Sequence, residues 1–129
     1  VQIVTTNAMD RKFLDDAVKI VEENVEHGGI DVGLLASKLA VSRTKLFLKM
    51  KGITGQSPHE FIQNIKLRVA ARLLRQQPDM NISDIAFYLG FSSLNYFGKY
   101  FRNFFGMSPS VYRKSQTADK TVPEPLPGD

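Results

Sequence analysis

The sequence predicts an all-α protein in which two helix-turn-helix units are joined by one long central helix. Apolar residues recur at helical spacing along most of the chain, and no stretch shows the alternation that predicts a strand. At two places a pair of short amphipathic segments is separated by a tight turn, which is the outline of a helix-turn-helix. Because both places share one residue pattern, we expect an internal repeat.

Composition limits the class of protein. The chain has 129 residues, enough for one domain or two very small ones. It contains no cysteine, which excludes disulfide bonds and thiolate metal sites. No apolar run is long enough to span a bilayer and no signal peptide is visible, so we expect a cytoplasmic domain without membrane contact. The first residue is Val rather than Met, and we expect a fragment of something longer.

The first predicted element is an acidic helix. We expect a linker over residues 1–9 and a helical segment over residues 10–30, in which Asp10 is the N-cap and the helix runs to about Glu26. Its apolar stripe consists of Leu14, Ala17, Val18, Val21 and Val25. A stripe this short favours packing against the rest of the domain over a coiled-coil seam.

The first helix-turn-helix unit is predicted over residues 31–57. Asp31 and Ser42 are placed to cap its two helices, and Gly55 is placed to end the second one. Ala40 stands in the turn, where the second unit has a glycine.

The long helix is predicted over residues 58–77. Ser57 suits its N-cap and Pro58 its first turn, where the missing N–H of proline costs nothing. Three basic residues fall on one face of this helix, and we expect a solvent-facing stripe of Arg68, Arg72 and Arg75.

The second unit is predicted over residues 81–114, followed by a disordered tail over residues 115–129. Gly90 suits the turn because it adopts the left-handed conformation, and Ser92 suits the N-cap of the next helix. Matching residues of the two units lie 50 positions apart up to Ser92 and 51 apart beyond it, which indicates one extra residue early in the second helix. The matched inward pairs include Leu35 and Ile85, Ala36 and Ala86, Leu46 and Phe97, Met50 and Phe101, and Ile53 and Phe104.

Charge is distributed unevenly along the chain. Residues 31–114 hold thirteen basic and four acidic side chains, a net charge of +9, whereas residues 1–30 carry −3 and residues 115–129 carry −2. A compact basic block favours a polyanionic partner. The alternatives are a solvated basic surface and a helical protein-interaction module whose basic face binds acidic proteins.

The second unit also resembles a known family. At their spacings, its residues are similar to the AraC/XylS family of bacterial transcription regulators, and the resemblance covers residues 31–114. The matching pieces are Ile85-Ala86, Gly90-Phe91-Ser92, Tyr96-Phe97, Phe101, Phe105-Gly106, Ser108-Pro109 and Tyr112-Arg113. The resemblance implies homeodomain-like units that bind specific double-stranded DNA sites, with their second helices in major-groove segments about one helical turn (~34 Å) apart.

The acidic helix followed by this repeat further resembles the output end of hybrid two-component regulators. That resemblance implies sensor and receiver domains upstream of this chain, and RNA polymerase as a further partner.

The family's base-reading positions fall on the outward faces of the two recognition helices. The resemblance assigns base readout to Thr44, Phe47, Leu48, Asn95, Gly98 and Lys99. Asn95 can bond adenine and Lys99 can bond guanine, whereas Phe47 and Leu48 can offer only apolar contact to thymine methyl groups. The alternative for these two apolar residues is a core or partner-facing position. Gly98 either weakens its helix by about 1 kcal/mol relative to Ala or allows close approach to DNA.

Phosphate contacts require donors around these helices. Ser42 and Ser92 are predicted at helix starts, where unpaired backbone N–H groups attract anions. The other candidates are Arg43, Lys45, Lys49, Lys51, Ser93, Tyr96 and Arg102.

Catalysis finds little support in the sequence. Its two histidines, His27 and His59, lie in unrelated segments, and the carboxylates of the first helix have the spacing of a solvated surface. We therefore expect no enzyme, no cofactor and no metal site.

Overall fold

The computed structural model describes residues 7–26 and 29–118, and this part of the chain contains seven helices and no strand, which confirms the predicted all-α class. The helices are α1 (Ala8–Val25), α2 (Val32–Lys38), α3 (Arg43–Thr54), α4 (Pro58–Gln76), α5 (Ile82–Tyr88), α6 (Leu94–Phe105) and α7 (Pro109–Ala118). The chain divides into two compact units at residues 65 and 66, so the long helix α4 contributes its first part to one unit and its second part to the other.

Helix α1 begins earlier than predicted. The side-chain oxygen of Asn7 accepts hydrogen bonds from the backbone N–H groups of Met9 and Asp10, at 2.8 and 3.2 Å. Asn7 is therefore the N-cap, and the assignment of that role to Asp10 was wrong because the N–H of Asp10 is itself already capped. The predicted linker is correspondingly shorter, and its residues 1–6 lie outside the described residues, as do His27 and Gly28.

Helix α1 packs on the first helix-turn-helix. Its stripe residues Leu14, Ala17, Val21 and Val25 are buried, and α1 contacts both α2 and α3. Helix α1 therefore buries its apolar stripe against these two helices. The first unit is a three-helix arrangement whose core also contains Leu35, Ala36, Leu46, Met50 and Ile53.

The two turns have the same backbone hydrogen bonds. In the first unit, the N–H of Val41 donates to the carbonyl of Ala36 at 3.0 Å, and in the second the N–H of Phe91 donates to the carbonyl of Ala86 at 3.0 Å. Both alanines are buried. The repeat inferred from the sequence is therefore a structural repeat.

The N-cap of α6 is Ser93. Its hydroxyl oxygen accepts from the N–H of Tyr96 at 3.0 Å, as the hydroxyl of Ser42 accepts from Lys45 at 3.0 Å in the first unit. The prediction that Ser92 caps this helix was wrong. Ser42 corresponds to Ser93, so the extra residue of the second unit is Ser92 itself, inserted in the turn before the helix.

Aromatic residues fill the core of the second unit. Phe97, Phe101 and Tyr112 are buried, with ring centroids 5.7 Å apart for Phe97–Phe101 and 5.5 Å for Phe101–Tyr112. Phe104 is only partly buried, and the guanidinium of Arg68 lies 5.4 Å from its ring centroid.

The predicted solvent-facing arginine stripe on α4 is wrong at its C-terminal end. Arg75 is only partly exposed, and it donates from Nη1 to the hydroxyl of Tyr112 at 2.7 Å. Arg113 donates from Nε to the carbonyl of Leu74 at 3.2 Å. These bonds join α4 to α7, which continues to Ala118 and so moves the predicted start of the tail beyond residue 115. Residues 119–129 lie outside the described residues.

Helix α4 begins at Pro58 with Ser57 as its cap, as predicted, and a reciprocal capping box with Glu60 completes this start. The N–H of Ser57 donates to Oε1 of Glu60 at 2.9 Å, and the N–H of Glu60 donates to the hydroxyl of Ser57 at 3.2 Å. The bond from the Ser57 backbone lowers the pKa of Glu60, with smaller contributions from the Ser57 hydroxyl and the charge of Lys51.

The first turn contains a left-handed alanine. Ala40 has a φ of +58°, at the position where Gly90 has a φ of +86° in the second unit. A non-glycine residue in this region is strained because its Cβ crowds the neighbouring carbonyl. Glycine adopts the same conformation without that clash.

We predict that Ala40→Gly raises the free energy of unfolding by up to about 2.5 kcal/mol. Relief of left-handed strain, ~1–3 kcal/mol, outweighs the ~0.5–1 kcal/mol of chain entropy that glycine loses on folding. Urea unfolding followed by circular dichroism measures the change. The matched variant Gly90→Ala should be destabilised, because alanine at position 90 would have to adopt the strained φ of +86°, whereas its Cβ would make only an ordinary van der Waals contact with Lys66 Nζ, at 3.5 Å. A lower midpoint for Ala40→Gly would show that the turn is not strained.

We predict that the contribution of Glu60 to stability depends on pH. Because folding lowers its pKa, the stabilisation is fully present above the ordinary glutamate pKa of about 4.3 and is lost as the pH falls through the folded value. The difference in unfolding free energy between the original protein and Glu60→Ala should therefore shrink between neutral pH and pH ~3. Glu60→Gln keeps the hydrogen-bond acceptor without the charge and is the control. An unchanged difference at low pH would contradict this assignment.

Candidate nucleic-acid interface

The second helix of each helix-turn-helix, α3 and α6, presents an exposed face beginning at its N-cap. On α3 the exposed residues of the first turns are Arg43, Thr44, Lys45, Phe47 and Leu48. Phe47 is 45% exposed and Leu48 is 64% exposed, whereas Leu46 and Met50 on the opposite side are fully buried. A core position for Phe47 and Leu48 is therefore excluded, and both lie where the resemblance places base-reading residues.

Several cations of the first unit have partners within it. Lys49 is partly buried, with Nζ 5.0 Å from the ring centroid of Phe13 on α1. Lys51 donates from Nζ to the carbonyl of Gly55 at 3.3 Å, next to the C-terminal end of α3. These contacts direct both lysines away from the N-terminal part of α3.

Arg43 lies against the first turn of α2. A Cβ added at Gly33 would come within 2.5 Å of Arg43 Nη2, so the guanidinium occupies the space that a side chain would need. Glycine at position 33 thus allows Arg43 to cross α2 at the beginning of the recognition helix.

Helix α6 exposes a more polar face. Leu94, Asn95, Lys99 and Arg102 are exposed, and Gly98 lies between them with nothing within 4 Å of an added Cβ. Asn95 and Lys99 are four residues apart and therefore share one face of the helix. No contact with the described residues requires glycine at position 98.

Two tyrosines occupy the flank of this face. Tyr96 and Tyr100 are partly buried and pack edge to face, with ring centroids 4.6 Å apart. Together with Lys99 and Asn103 they line an open groove of about 240 Å³ along α6. Both rings therefore have a packing role on this flank of α6.

Lys66 supports the second unit from behind the turn, a role that the sequence analysis missed. It is 8% exposed, its Nζ lies 5.7 Å from the ring centroid of Phe91, and the same atom would be 3.5 Å from a Cβ at Gly90. Phe91 in turn packs against Phe97 of α6, with centroids 5.0 Å apart. The sequence indicates this role because Lys66 stands between two apolar residues on the buried face of α4.

Residues 7–26 and 29–118 contain neither a cluster of metal-ligand side chains nor a helix that could cross a membrane. No group of three or more potential ligand residues in this part of the chain is arranged to hold a metal ion. None of its helices combines the length and apolar character required to cross a membrane.

Comparison with known proteins identifies the arrangement. The family model for a helix-turn-helix domain matches residues 35–115. The chain is 43% identical over 110 residues to Histidine kinase P4 of Formosa agariphila, a match that covers 85% of this chain and 8% of the kinase. The present chain thus spans a small fraction of that relative.

Solved structures give the same result. A transcriptional regulator of Chromobacterium violaceum, described as an AraC-type DNA-binding domain-containing protein, is 30% identical, with a TM-score of 0.77 over 92% of this chain and 100% of that one. The DNA-binding domain of the global transcriptional factor AdpA, solved with a target DNA, is 27% identical, with a TM-score of 0.73 over 84% of this chain and 96% of that one. The chain belongs to the AraC-type helix-turn-helix family of DNA-binding transcription regulators.

Proposed function

We propose that this domain binds specific double-stranded DNA sites, with α3 and α6 in adjacent segments of the major groove. The observation that carries the proposal is the exposed face of α6, where Asn95 and Lys99 lie one turn apart beside an open Gly98. Asn and Lys can form hydrogen bonds with base edges in the major groove. On α3, Thr44 is the corresponding polar group and is exposed.

The N-terminal ends of both recognition helices suit phosphate binding. Ser42 and Ser93 are exposed, and because each accepts a backbone N–H through its oxygen, its own hydroxyl hydrogen remains available to donate. The helix dipoles favour an anion at the same places. Exposed Lys45 and Arg102 are the main side-chain candidates, while Arg43, Ser92 and Tyr96 are retained as secondary ones. Lys49 and Lys51 have the internal partners described above and contribute less directly.

The domain is further proposed to act as the output end of a longer regulator. Its match to 8% of a histidine kinase supports a two-component context, in which sensor and receiver domains regulate DNA binding. The bound domain would then act on RNA polymerase in the cytoplasm, without an enzymatic activity of its own.

We predict that Asn95→Ala and Lys99→Ala lower specificity. Loss of a good base contact costs about 1–3 kcal/mol of discrimination. Each variant should therefore bind its preferred duplex more weakly while largely keeping its affinity for random DNA, as measured by fluorescence anisotropy at fixed salt. Arg102→Ala should weaken binding to both duplexes alike. It should also reduce the slope of log affinity against log salt concentration by about one. Lys19→Ala, which removes an exposed charge from α1, is the control. If the first two variants retained the full preference, direct readout by α6 would be refuted.

We predict that Gly98→Ala raises the stability of the protein but weakens its binding to DNA. Both Gly98 and Gly52 are helical, and an added Cβ meets nothing within 4 Å at either position. Each substitution should raise the unfolding free energy by roughly 0.5–1 kcal/mol, because alanine loses less entropy in a helix. Only Gly98→Ala should weaken specific DNA binding, because its added methyl group would face the major groove of the DNA. Equal binding by both variants would remove Gly98 from the interface.

A further inference from the structure

We propose that α3 reads its half of the DNA site through thymine methyl groups, whereas α6 reads the other half through hydrogen bonds. This inference rests on the proposed function and specifies the bases involved. Its starting point is that α3 exposes two large apolar side chains, Phe47 at 45% and Leu48 at 64%. Exposed apolar groups that lie together mark a surface that contacts something apolar.

These two residues belong to one compact patch. Thr44, Phe47 and Leu48 have the spacing i, i+3 and i+4, which places them on the same face of α3. All three lie in the first two turns after the Ser42 cap, the part of a recognition helix that contacts base edges. The threonine adds a methyl group of its own to this patch.

The internal repeat provides the comparison. Because Ser42 corresponds to Ser93, the three positions of α3 correspond to Asn95, Gly98 and Lys99 of α6, each 51 residues later. The same three places on the two recognition helices therefore present threonine, phenylalanine and leucine in one unit and asparagine, glycine and lysine in the other. The two half-sites must accordingly be recognised by different chemistry.

The apolar set selects one base. Phenylalanine and leucine have no side-chain hydrogen-bonding group, and the C5 methyl of thymine is the apolar group that base pairs display in the major groove. Placed against guanine or cytosine, the same side chains would remove base donors and acceptors from water without replacing their hydrogen bonds, which is unfavourable. Contact with thymine is thus favoured for two reasons. Its methyl group is buried against the apolar side chains, and the polar groups of guanine or cytosine would lose hydrogen bonds to water in the same place.

Thymine-to-uracil substitution tests the proposal directly. Uracil lacks the C5 methyl and keeps the hydrogen-bonding groups of thymine, so only apolar contact is lost. A preferred duplex is first selected from a random DNA library. The half of this site whose base preference relaxes in the Asn95→Ala variant is then assigned to α6. Uracil in the other half should weaken binding about three- to fivefold per contacted methyl, the equivalent of burying one methyl group. Uracil in the α6 half should change affinity less than twofold.

A double-substituted variant identifies the residues responsible. Phe47→Ala combined with Leu48→Ala removes two exposed side chains and should abolish the uracil effect, while Asn95→Ala should leave that effect intact. Binding that is specific yet insensitive to uracil in the α3 half would overturn the inference and leave the proposed function standing, as would a selected α3 half without thymine. A uracil effect that persists in the double variant would also overturn it. Absence of any specific DNA binding would instead overturn the proposed function.

Discussion

The left-handed residue between the two helices of each unit is the constraint on which the recognition surfaces depend. Ala40 and Gly90 turn the chain in the left-handed conformation, and the hydrogen bonds from the N–H of Val41 to the carbonyl of Ala36 and from the N–H of Phe91 to the carbonyl of Ala86 close the turns. A serine shortly after each turn, Ser42 or Ser93, then caps the next helix. The buried face of that helix then lies against its neighbour, and the opposite face is left for solvent or DNA.

The two units form and support this turn with different side chains. The second has glycine in the turn, the buried Lys66 behind it and a row of packed aromatic rings from Phe91 to Tyr112. The first has a strained alanine, a core with mostly aliphatic side chains and support from α1. The difference continues on the exposed faces, which are polar on α6 and apolar at the equivalent positions of α3. The two units thus share the backbone geometry of the turn but differ in their cores and in their exposed faces.

Local signals were sufficient to predict most of the fold. Apolar spacing identified both helix-turn-helix units and the long helix, and Gly55 ends α3 in the left-handed conformation that its position predicted. The errors at Asp10 and Ser92 arose because neighbouring residues can cap equally well, and only tertiary packing decides which N–H groups remain to be capped. The bond between Arg75 and Tyr112 joins residues 37 apart in sequence, and no local pattern encodes it.

The candidate site was predictable in outline. The outward positions of α3 and α6 followed from the inward ones, but the partners of Lys49, Lys51 and Arg43 depend on the fold and required the structure. Selection of bound sequences from a random DNA library tests the central claim most directly. We expect an enriched site with two separate blocks of preferred bases, one for each recognition helix. A single block, or no enrichment at all, would contradict it.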